Sequence, residues 1–176
     1  DRRRHVARET QTLHAPMAHR LGLYLIKTEM EDLALKFLEY DTYKYIAHAL
    51  NAKKTEREQY IARFIAPIEE KLKKEGFTFT IKGRPKSIHS IYHKMQAQRC
   101  DIDRIYDLFA IRIIIDTPLE REKSDCWQVY SLITDVFTPN PKRLRDWLSA
   151  PKENGYESLH TTVLGPDDRW VEVQIR

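Results

Sequence analysis

Apolar residues recur every three or four positions over the first part of the chain, which is the spacing of one helix face. Two such series stand in the sequence: Leu21, Leu25, Met30, Leu33 and Phe37, and then Tyr60, Phe64, Ile68 and Leu72. Pro16 is predicted to start a helix, Pro67 to kink or restart one, and Gly76 to end the last one. The sequence therefore predicts a helical array up to Gly76.

The hydrophobic period changes after Gly76. FTFTIK alternates with period two and predicts a strand, whereas SIHSIYHKMQAQ returns to the helical period. LFAIRIIID predicts a strand buried on both faces, CWQVYSLITDVF a helix, and LHTTVLG with RWVEVQIR a closing pair of strands. We therefore expect an α+β chain, with a helical segment over residues 1–66 and a sheet-containing domain over residues 67–176.

Composition narrows the functional class only slightly. Of the 176 residues, 41% are hydrophobic and 32% are charged, which is enough for one core and a smaller helical extension. No long apolar run or signal-peptide pattern is present, so we expect a cytoplasmic protein without a membrane partner. The net charge of +4 mildly favours an anionic ligand such as a nucleotide. The two cysteines form no CxxC pair or Cys/His cluster, which argues against a zinc site.

The segment GRPKSIHSIYHK is the first candidate for ligand binding. A helix with Pro85 in its first turn would gather one polar arc, opposite its apolar residues: Lys86, Ser90, His93 and Lys94. Free N–H groups at a helix start favour anions, and the added cations suit a polyphosphate. A Walker A loop is excluded because the second glycine is missing. A solvated basic helix face explains the same pattern equally well.

The last predicted strand, RWVEVQIR, has two different faces. Val171, Val173 and Ile175 point one way, and Glu172 and Gln174 point the other way. The first set suits a core and the second suits hydrogen bonding to a ligand. An ordinary half-exposed strand fits this alternation equally well.

A second carboxylate, Asp107, precedes the predicted buried strand. If the two strands are neighbours, Asp107 and Glu172 would form the minimum protein contribution to a Mg²⁺ site, because this ion keeps most of its shell as water and phosphate oxygens. Asp107 and Arg112 have opposite parity along the chain. Both reach one face only if regular strand begins after Asp107.

The loop PKENGYESLH is the third candidate element. Lys152 can neutralise phosphate, Asn154 and Gly155 suit a tight turn, and Tyr156 offers a flat face for a base. A surface loop without a ligand is the alternative, and His160 fits an ordinary strand histidine as well as a binding residue. Together the three elements would supply triphosphate binding, metal binding and base stacking.

Several motifs identify a family. GRPKSIHSIYHKM, IYDLFAIRIII, RLRDW, PKENGYESLHTTVLGP and VEVQIR occur in the order and approximate spacing seen in the synthetase domain of RelA/SpoT-family alarmone enzymes. ETQTLHAPMAHRLGLYLIKTEMEDLALKFL resembles the helical segment that precedes this domain in the long members, so the resemblance covers essentially the whole chain. It implies a nucleotidyltransferase-like mixed sheet flanked by helices. It also implies transfer of the β,γ-pyrophosphate of ATP to the 3′-hydroxyl of GDP or GTP, which makes the stringent-response alarmone (p)ppGpp.

The resemblance implies roles for single residues in ATP and metal binding. Arg84 and Arg112 look like the pair of guanidinium groups that sandwich adenine. Asp107 and Glu172 match the family's Mg²⁺ carboxylates, and Glu172 is also similar to the residue proposed to activate the 3′-hydroxyl as general base. The residues that match the ATP phosphate contacts are Lys86, Ser90 and Lys94.

The resemblance also implies which residues bind the acceptor nucleotide, GTP or GDP. Tyr156 resembles the residue that stacks on guanine. The residues that line the GTP or GDP pocket by resemblance are Arg143, Lys152, Asn154, His160 and Gln174.

The chain also departs from the family pattern. RLRD has Arg145 where the family often has Lys, a basic version that suggests a bifunctional parent, and Trp147 replaces a frequent Tyr. Because the sequence stops at Arg176, we expect a truncated synthetase domain, and a ribosome would be contacted only through regions absent from this chain. The alternatives are a catalytically silent nucleotide-binding regulatory module, against which the two carboxylates argue, and a basic RNA-binding module, against which the apolar setting of the aromatic residues argues.

Overall fold

Seven α-helices and six β-strands make up the part of the chain that the computed structural model describes, residues 2–105 and 108–176. The helices are α1 (Arg2–Glu9), α2 (Ala15–Arg20), α3 (Tyr24–Leu38), α4 (Tyr40–Ala52), α5 (Lys54–Lys74), α6 (Ile88–Gln98) and α7 (Glu122–Val136). The strands are β1 (Phe79–Pro85), β2 (Phe109–Ile115), β3 (Thr138–Pro139), β4 (Arg145–Asp146), β5 (Leu159–Leu164) and β6 (Trp170–Ile175). No helix among these residues is both long enough and apolar enough to cross a membrane.

The chain divides into two compact units, and the division differs from the sequence-based one. A helical unit combines residues 2–54 with residues 86–105, and a sheet unit combines residues 55–85 with residues 108–176. The boundary expected between residues 66 and 67 falls inside α5. The reason is packing: the apolar stripe of α5 belongs to the core of the sheet unit, so the helix cannot be divided at that point.

The helical unit buries few large side chains. α1, a π-helical turn (Thr10–His14) and α2 follow one another directly, and Pro16 lies at the start of α2, as predicted. Leu21 lies in the turn between α2 and α3, and the rest of the first apolar series is helical. The series lies mostly on the surface: Leu25 is 81% exposed, and Leu21, Leu33 and Phe37 are exposed as well. α3 instead buries Ala34 and Leu35. Periodicity therefore identified this helix but not the side that it buries.

The sheet unit begins with α5, whose second apolar series is buried as a helix stripe should be. Tyr60, Phe64, Ile68 and Leu72 are each at most 2% exposed. The helix continues through Pro67 without a restart. It ends as predicted near Gly76, which has a positive φ of 80°, and the Phe77 N–H donates to the Leu72 carbonyl at 3.1 Å.

The six strands form one mixed sheet, which confirms the predicted α+β class. The strand order is β1-β2-β6-β5-β3, and β4 pairs with β5 beside this path. β2 and β6 run parallel, whereas the other pairs are antiparallel. The two C-terminal strands pair as expected, and β1 pairs with β2, the next strand along the chain.

One face of the sheet forms the core and the other face is polar. Apolar residues of β2, β5 and β6 pack in one cluster with α5 and with Cys126, Val129 and Ile133 of α7. The expectation that β2 is buried on both faces was wrong, because Arg112 is only half-buried and Ile114 is 39% exposed. On β6, Val171, Val173 and Ile175 are buried as predicted, and Glu172 and Gln174 alternate with them.

Candidate functional site

A row of polar side chains crosses the polar face of the sheet. Register pairs Lys82 of β1 with Arg112 of β2, and Arg112 with Gln174 of β6. Gln174 pairs in turn with His160 of β5, and His160 with Arg145 of β4. Residues in register lie on the same face, so five strands contribute to one row.

A second row lies two residues away along each strand and therefore on the same face. It consists of Arg84, Ala110, Glu172 and Thr162. The small side chain of Ala110 separates Arg84 from Glu172. The predicted residues Arg84, Arg112, His160, Glu172 and Gln174 are therefore brought to one surface by strands that are distant in sequence.

Hydrogen bonds order the centre of this surface. The Gln174 Nε2 donates to Oε1 of Glu172 at 2.8 Å, and Nη2 of Arg112 donates to Oε1 of Gln174 at 3.3 Å. Nδ1 of His160 lies 4.0 Å from Oε1 of Glu172. Gln174 therefore connects a cation to a carboxylate and fixes the orientation of both.

The electrostatic environment of Arg112 is unusual. Burial lowers the pKa of its guanidinium, and the charges of Arg176 and Arg84 lower it further. Its buried Nε finds no hydrogen-bond acceptor among the described residues. Because three guanidinium groups repel one another here, an anionic or electron-rich planar ligand would be stabilised at this position.

The loop before β5 places a lysine between two aromatic rings. Nζ of Lys152 lies 4.7 Å from the ring centroid of Trp147 and 5.4 Å from that of Tyr156. The loop is closed by Gly155, with a φ of 72°, whose N–H donates to the Lys152 carbonyl at 2.8 Å. The turn expected from Asn154 and Gly155 is confirmed. Oδ1 of Asn154 accepts from the Tyr156 N–H at 3.3 Å, so this side chain shapes the loop.

His160 links the loop to the carboxylate. Its Nε2 lies 2.9 Å from the Tyr156 hydroxyl in a hydrogen bond. Burial lowers the pKa of His160, the nearby Glu172 carboxylate opposes this shift, and Lys152 and Arg112 add to it. His160 is therefore held mainly as a neutral imidazole that exchanges hydrogen bonds with its neighbours.

Two arginines of the RLRD motif differ in position. Arg143 ends an exposed 3-10 turn (Pro141–Arg143), outside the strand pairing. Arg145 joins the register row, but its Nη1 donates to the carbonyls of Lys142 and Leu144 at 3.1 and 3.0 Å. This guanidinium is thus partly engaged by backbone.

The predicted phosphate-binding segment does not start where the sequence indicated. Pro85 is the last residue of β1, and α6 begins at Ile88 with Ser87 as its N-cap. The expectation that Pro85 lies in the first helical turn was therefore wrong. Lys86 precedes the helix, so the polar arc on α6 keeps only Ser90, His93 and Lys94. Proline fits here because it closes a strand whose last N–H needs no partner.

The N–H groups at the start of α6 are already occupied. The His89 N–H donates to Oδ1 of Asp32 at 2.8 Å, and the Ser90 N–H donates to Oγ of Ser87 at 3.1 Å. The expectation of free N–H groups facing an anion does not hold for these two amides, because an Asp of the same unit takes the place of that anion. Any phosphate at α6 would be bound by side chains. Oγ of Ser90 accepts from Ser87 at 2.8 Å and keeps its own proton for donation.

The carboxylates proposed for Mg²⁺ are only partly visible. Asp107 lies outside the described residues, and so does the parity condition that concerns it. Among the described residues, no group of three or more His, Cys, Asp or Glu side chains is arranged to hold a metal ion. Glu172, a half-buried carboxylate 4.0 Å from Nδ1 of His160, could supply one hard oxygen ligand. That donor set fits Mg²⁺ if phosphate oxygens complete its shell.

Sequence reasoning gave no role to some residues of this surface. Lys82 was not singled out, although period two from Arg84 places it on the same face. Period two from Gln174 places Arg176 on this face as well, but its action on Arg112 depends on the parallel pairing of β2 with β6. The contact of Trp147 with Lys152 had no sequence signal beyond the aromatic residue itself.

Comparisons with known proteins identify the family of this chain. The family model described as "Region found in RelA / SpoT proteins" matches residues 83–176. A probable guanosine-3′,5′-bis(diphosphate) 3′-pyrophosphohydrolase of Synechocystis is 41% identical over 177 residues, covering 100% of this chain and 23% of that protein. A GTP pyrophosphokinase of Photobacterium angustum is 37% identical over 174 residues, covering 99% of this chain and 23% of that protein. The chain thus spans about a quarter of the length of the curated relatives that it matches.

A solved structure shares the fold. The small alarmone synthetase 1 from Bacillus subtilis, bound to its product pppGpp, superposes with a TM-score of 0.51 at 23% sequence identity. The match covers 76% of this chain and 73% of that chain. The family match extends over more than half of the sequence and includes every strand described above except the first residues of β1. The chain belongs to the RelA/SpoT family.

Proposed function

We propose that this chain contains the pyrophosphoryl-transfer site of a (p)ppGpp synthetase, which moves the β,γ-pyrophosphate of ATP to the 3′-hydroxyl of GDP or GTP. The observation that supports this most is the carboxylate Glu172 on a sheet face with Arg84 and Arg112, beside the loop that holds Lys152 and Tyr156. Cations suit phosphates, flat side chains suit bases, and a carboxylate suits proton removal.

The reaction requires little covalent chemistry from the protein. Glu172 accepts the proton of the 3′-hydroxyl while that oxygen forms a bond to the β-phosphorus of ATP. The bond between the β-phosphorus and the oxygen that bridges it to the α-phosphate breaks, and that oxygen leaves as part of AMP. Glu172 with Asp107 would hold Mg²⁺, and the chemistry that this ion supplies when bound is neutralisation of phosphate charge.

The remaining residues act by binding and alignment. Arg84 and Arg112 would stack on adenine, and the orphaned Nε of Arg112 is one group that a ligand could satisfy. Tyr156 would stack on guanine, and cationic and amide groups would align the acceptor. The other residues proposed from the family resemblance are Lys86, Ser90 and Lys94 for the ATP phosphates, and Arg143, Lys152, Asn154, His160 and Gln174 for the acceptor.

Two further functions compete with synthesis. Relatives of this chain are named as a pyrophosphohydrolase as well as a pyrophosphokinase. A catalytically silent nucleotide-binding module would use the same cationic surface. Synthesis is favoured because Gln174 holds the Glu172 carboxylate among cations, where a module that only binds nucleotides has no need of it.

The test is incubation of the protein with Mg²⁺, ATP labelled in the β-phosphate, and GDP or GTP. We expect label to appear in a guanosine 3′-diphosphate with AMP in equal amount, and both to be absent when Mg²⁺ is chelated. Binding of both nucleotides without AMP formation would favour the silent module. Loss of label from added (p)ppGpp, without synthesis, would favour hydrolysis.

Trp147 offers a separate test of the acceptor pocket. Its ring and that of Tyr156 hold the Lys152 ammonium between them. We expect Trp147→Ala to raise the KM for GDP about three- to tenfold, the size of one or two cation–π contacts, and to leave the KM for ATP unchanged. Trp147→Tyr, which keeps an aromatic face, is expected to restore most of the affinity. Equal effects on both KM values would contradict the assignment of Lys152 to the acceptor.

A further inference from the structure

A chain of polar contacts connects α3 to α6 inside the helical unit. Nδ1 of His89 lies 3.4 Å from Oε2 of Glu31, and Nε2 of His89 lies 3.0 Å from Nε2 of His93. Nζ of Lys27 lies 3.1 Å from the same Glu31 oxygen. His89 and Glu31 are largely buried, with side chains 11% and 14% exposed. Nothing in the proposed reaction uses these groups.

His89 is held at three of its polar atoms. Besides its two ring contacts, its backbone N–H donates to Oδ1 of Asp32 at 2.8 Å. It sits in the first turn of α6, one residue before Ser90 and one turn before His93. Since Glu31 and Asp32 both belong to α3, the first turn of α6 is fixed to α3 through backbone and side chain together.

The contact between the two imidazoles restricts their protons. Two Nε2 atoms at 3.0 Å are bonded only if a single proton lies between them. The Glu31 carboxylate requires a proton on Nδ1 of His89 for a favourable interaction. With Nδ1 of His89 protonated, Nε2 of His93 carries the shared proton. A second proton on Nδ1 of His93 keeps the contact but makes a partly buried ring cationic, whereas a proton on Nε2 of His89 breaks the contact. Acid conditions therefore weaken the arrangement by either route.

The surroundings of His93 oppose its protonation. Partial burial lowers the pKa of His93 below its ordinary value of 6.5. Positive charge on His89 and Lys27 lowers this pKa further, whereas the Glu31 carboxylate opposes the shift. Burial would raise the pKa of Glu31, but hydrogen bonds from His89 and Lys27 outweigh this and lower it. On α4, which also packs on α6, the Tyr45 hydroxyl donates to Asp101 at 2.6 Å, beyond the end of α6.

We infer that His89 is a positioning residue: bound to Glu31 and Asp32 of α3, it fixes the first turn of α6 and, through His93, the polar arc with Ser90 and Lys94. This inference rests on the proposed function, in which that arc contacts ATP phosphates. Because the His93 pKa is lowered, the neutral pair stabilises the arrangement fully above pH 6.5, and the stabilisation is lost as pH falls through the folded pKa.

The experiment compares three variants with wild type in the transfer assay, from about pH 7.5 to about pH 5.5, the range in which imidazole titrates. His93→Gln keeps a donor to His89 but cannot titrate, and His89→Phe keeps a ring but loses its side-chain hydrogen bonds. His14→Gln changes an exposed histidine of the same unit and serves as the control.

For wild type and His14→Gln we expect the KM for ATP to rise about tenfold toward the acid end, the effect of one or two lost hydrogen bonds, with the KM for GDP unchanged. His93→Gln should remove most of this pH dependence, and His89→Phe should show a raised KM for ATP at every pH. Because ATP itself titrates in this range, the difference between wild type and His93→Gln is the relevant quantity. A wild-type pH profile in His93→Gln, or parallel changes in both KM values, would overturn the inference.

A second readout separates this inference from the proposed function. The Ile91 N–H donates to the Ser87 carbonyl at 3.1 Å in the first turn of α6, so its hydrogen exchange reports on that turn without any nucleotide. The intrinsic rate of amide exchange falls with pH, so the quantity compared is the protection factor, the intrinsic rate divided by the measured rate at the same pH. Protection of the Ile91 N–H should fall toward acid pH in wild type and not in His93→Gln. The same pH dependence of protection in both proteins would overturn the anchor itself. A normal exchange pattern in a protein that binds no ATP would instead refute the proposed function alone.

Discussion

Glu172→Gln is expected to lower kcat for pyrophosphoryl transfer by about a thousandfold, the size of the loss when a general base is removed. The glutamine has nearly the shape of the glutamate, and its Oε1 can still accept the hydrogen bond that Gln174 donates at 2.8 Å. It cannot accept the proton of the 3′-hydroxyl or offer a charged oxygen to Mg²⁺. The change therefore removes the chemistry and keeps the surrounding contacts.

The measurement is the rate of AMP formation at saturating ATP and GDP, with nucleotide binding by calorimetry and thermal unfolding as companions. Glu157→Gln is the matched control, since it removes an exposed carboxylate of the nearby loop. We expect that control to retain wild-type kcat. If Glu172→Gln kept more than about a tenth of the activity, Glu172 would be excluded as the base, because general bases contribute at least about a hundredfold.

Phe64→Ala is expected to lower the free energy of unfolding of the sheet unit by about 3–5 kcal/mol. Phe64 is fully buried on α5 and stacks on Phe137, with ring centroids 4.6 Å apart and planes within 6°. A Cβ at Gly165 would lie 2.9 Å from the Phe64 ring, so the chain turns tightly against this side chain. Strand ends and a helix surround the site, and they cannot collapse into the space left by the ring.

Leu25→Ala provides the contrasting substitution. Leu25 belongs to an equally regular apolar series but is 81% exposed on α3, so its loss should change stability by at most about 0.5 kcal/mol. Urea denaturation of wild type and the two variants, followed by circular dichroism, to which the helices of both units contribute, measures both effects. Similar losses for the two variants would contradict the burial assigned to these two helices.

The two apolar series show what periodicity can and cannot predict. Both gave correct helices, because a spacing of three and four is a property of one helix face. Only the series on α5 is buried, since burial depends on a sheet that the local pattern does not contain. The exposed Leu25 and the buried Phe64 look alike in the sequence.

The candidate site also combines features that the sequence predicts with features that it does not. Alternation along RWVEVQIR correctly placed Glu172 and Gln174 opposite the core, and the motifs named most of the polar residues that the sheet gathers. The predicted start of α6 was wrong, because a proline can close a strand as readily as it opens a helix. Ser87, the N-cap of α6, sets the actual start of the helix. The occupation of the His89 N–H by Asp32 links residues 57 positions apart, and no local pattern reports such a contact.

The sequence by itself determined most of the helices and the longer strands of this protein, the core and polar faces of β6 and, through its motifs, the family. Those properties follow from short repeats of one chain segment. Only the tertiary structure decided the parallel pairing of β2 with β6, which sets Arg112 beside Gln174 and places Glu172 in the next row. The same holds for the insertion of Lys152 between Trp147 and Tyr156, and for the anchoring of α6 on α3. These arrangements depend on strand order and helix packing, which are fixed by contacts between distant segments rather than by the local period.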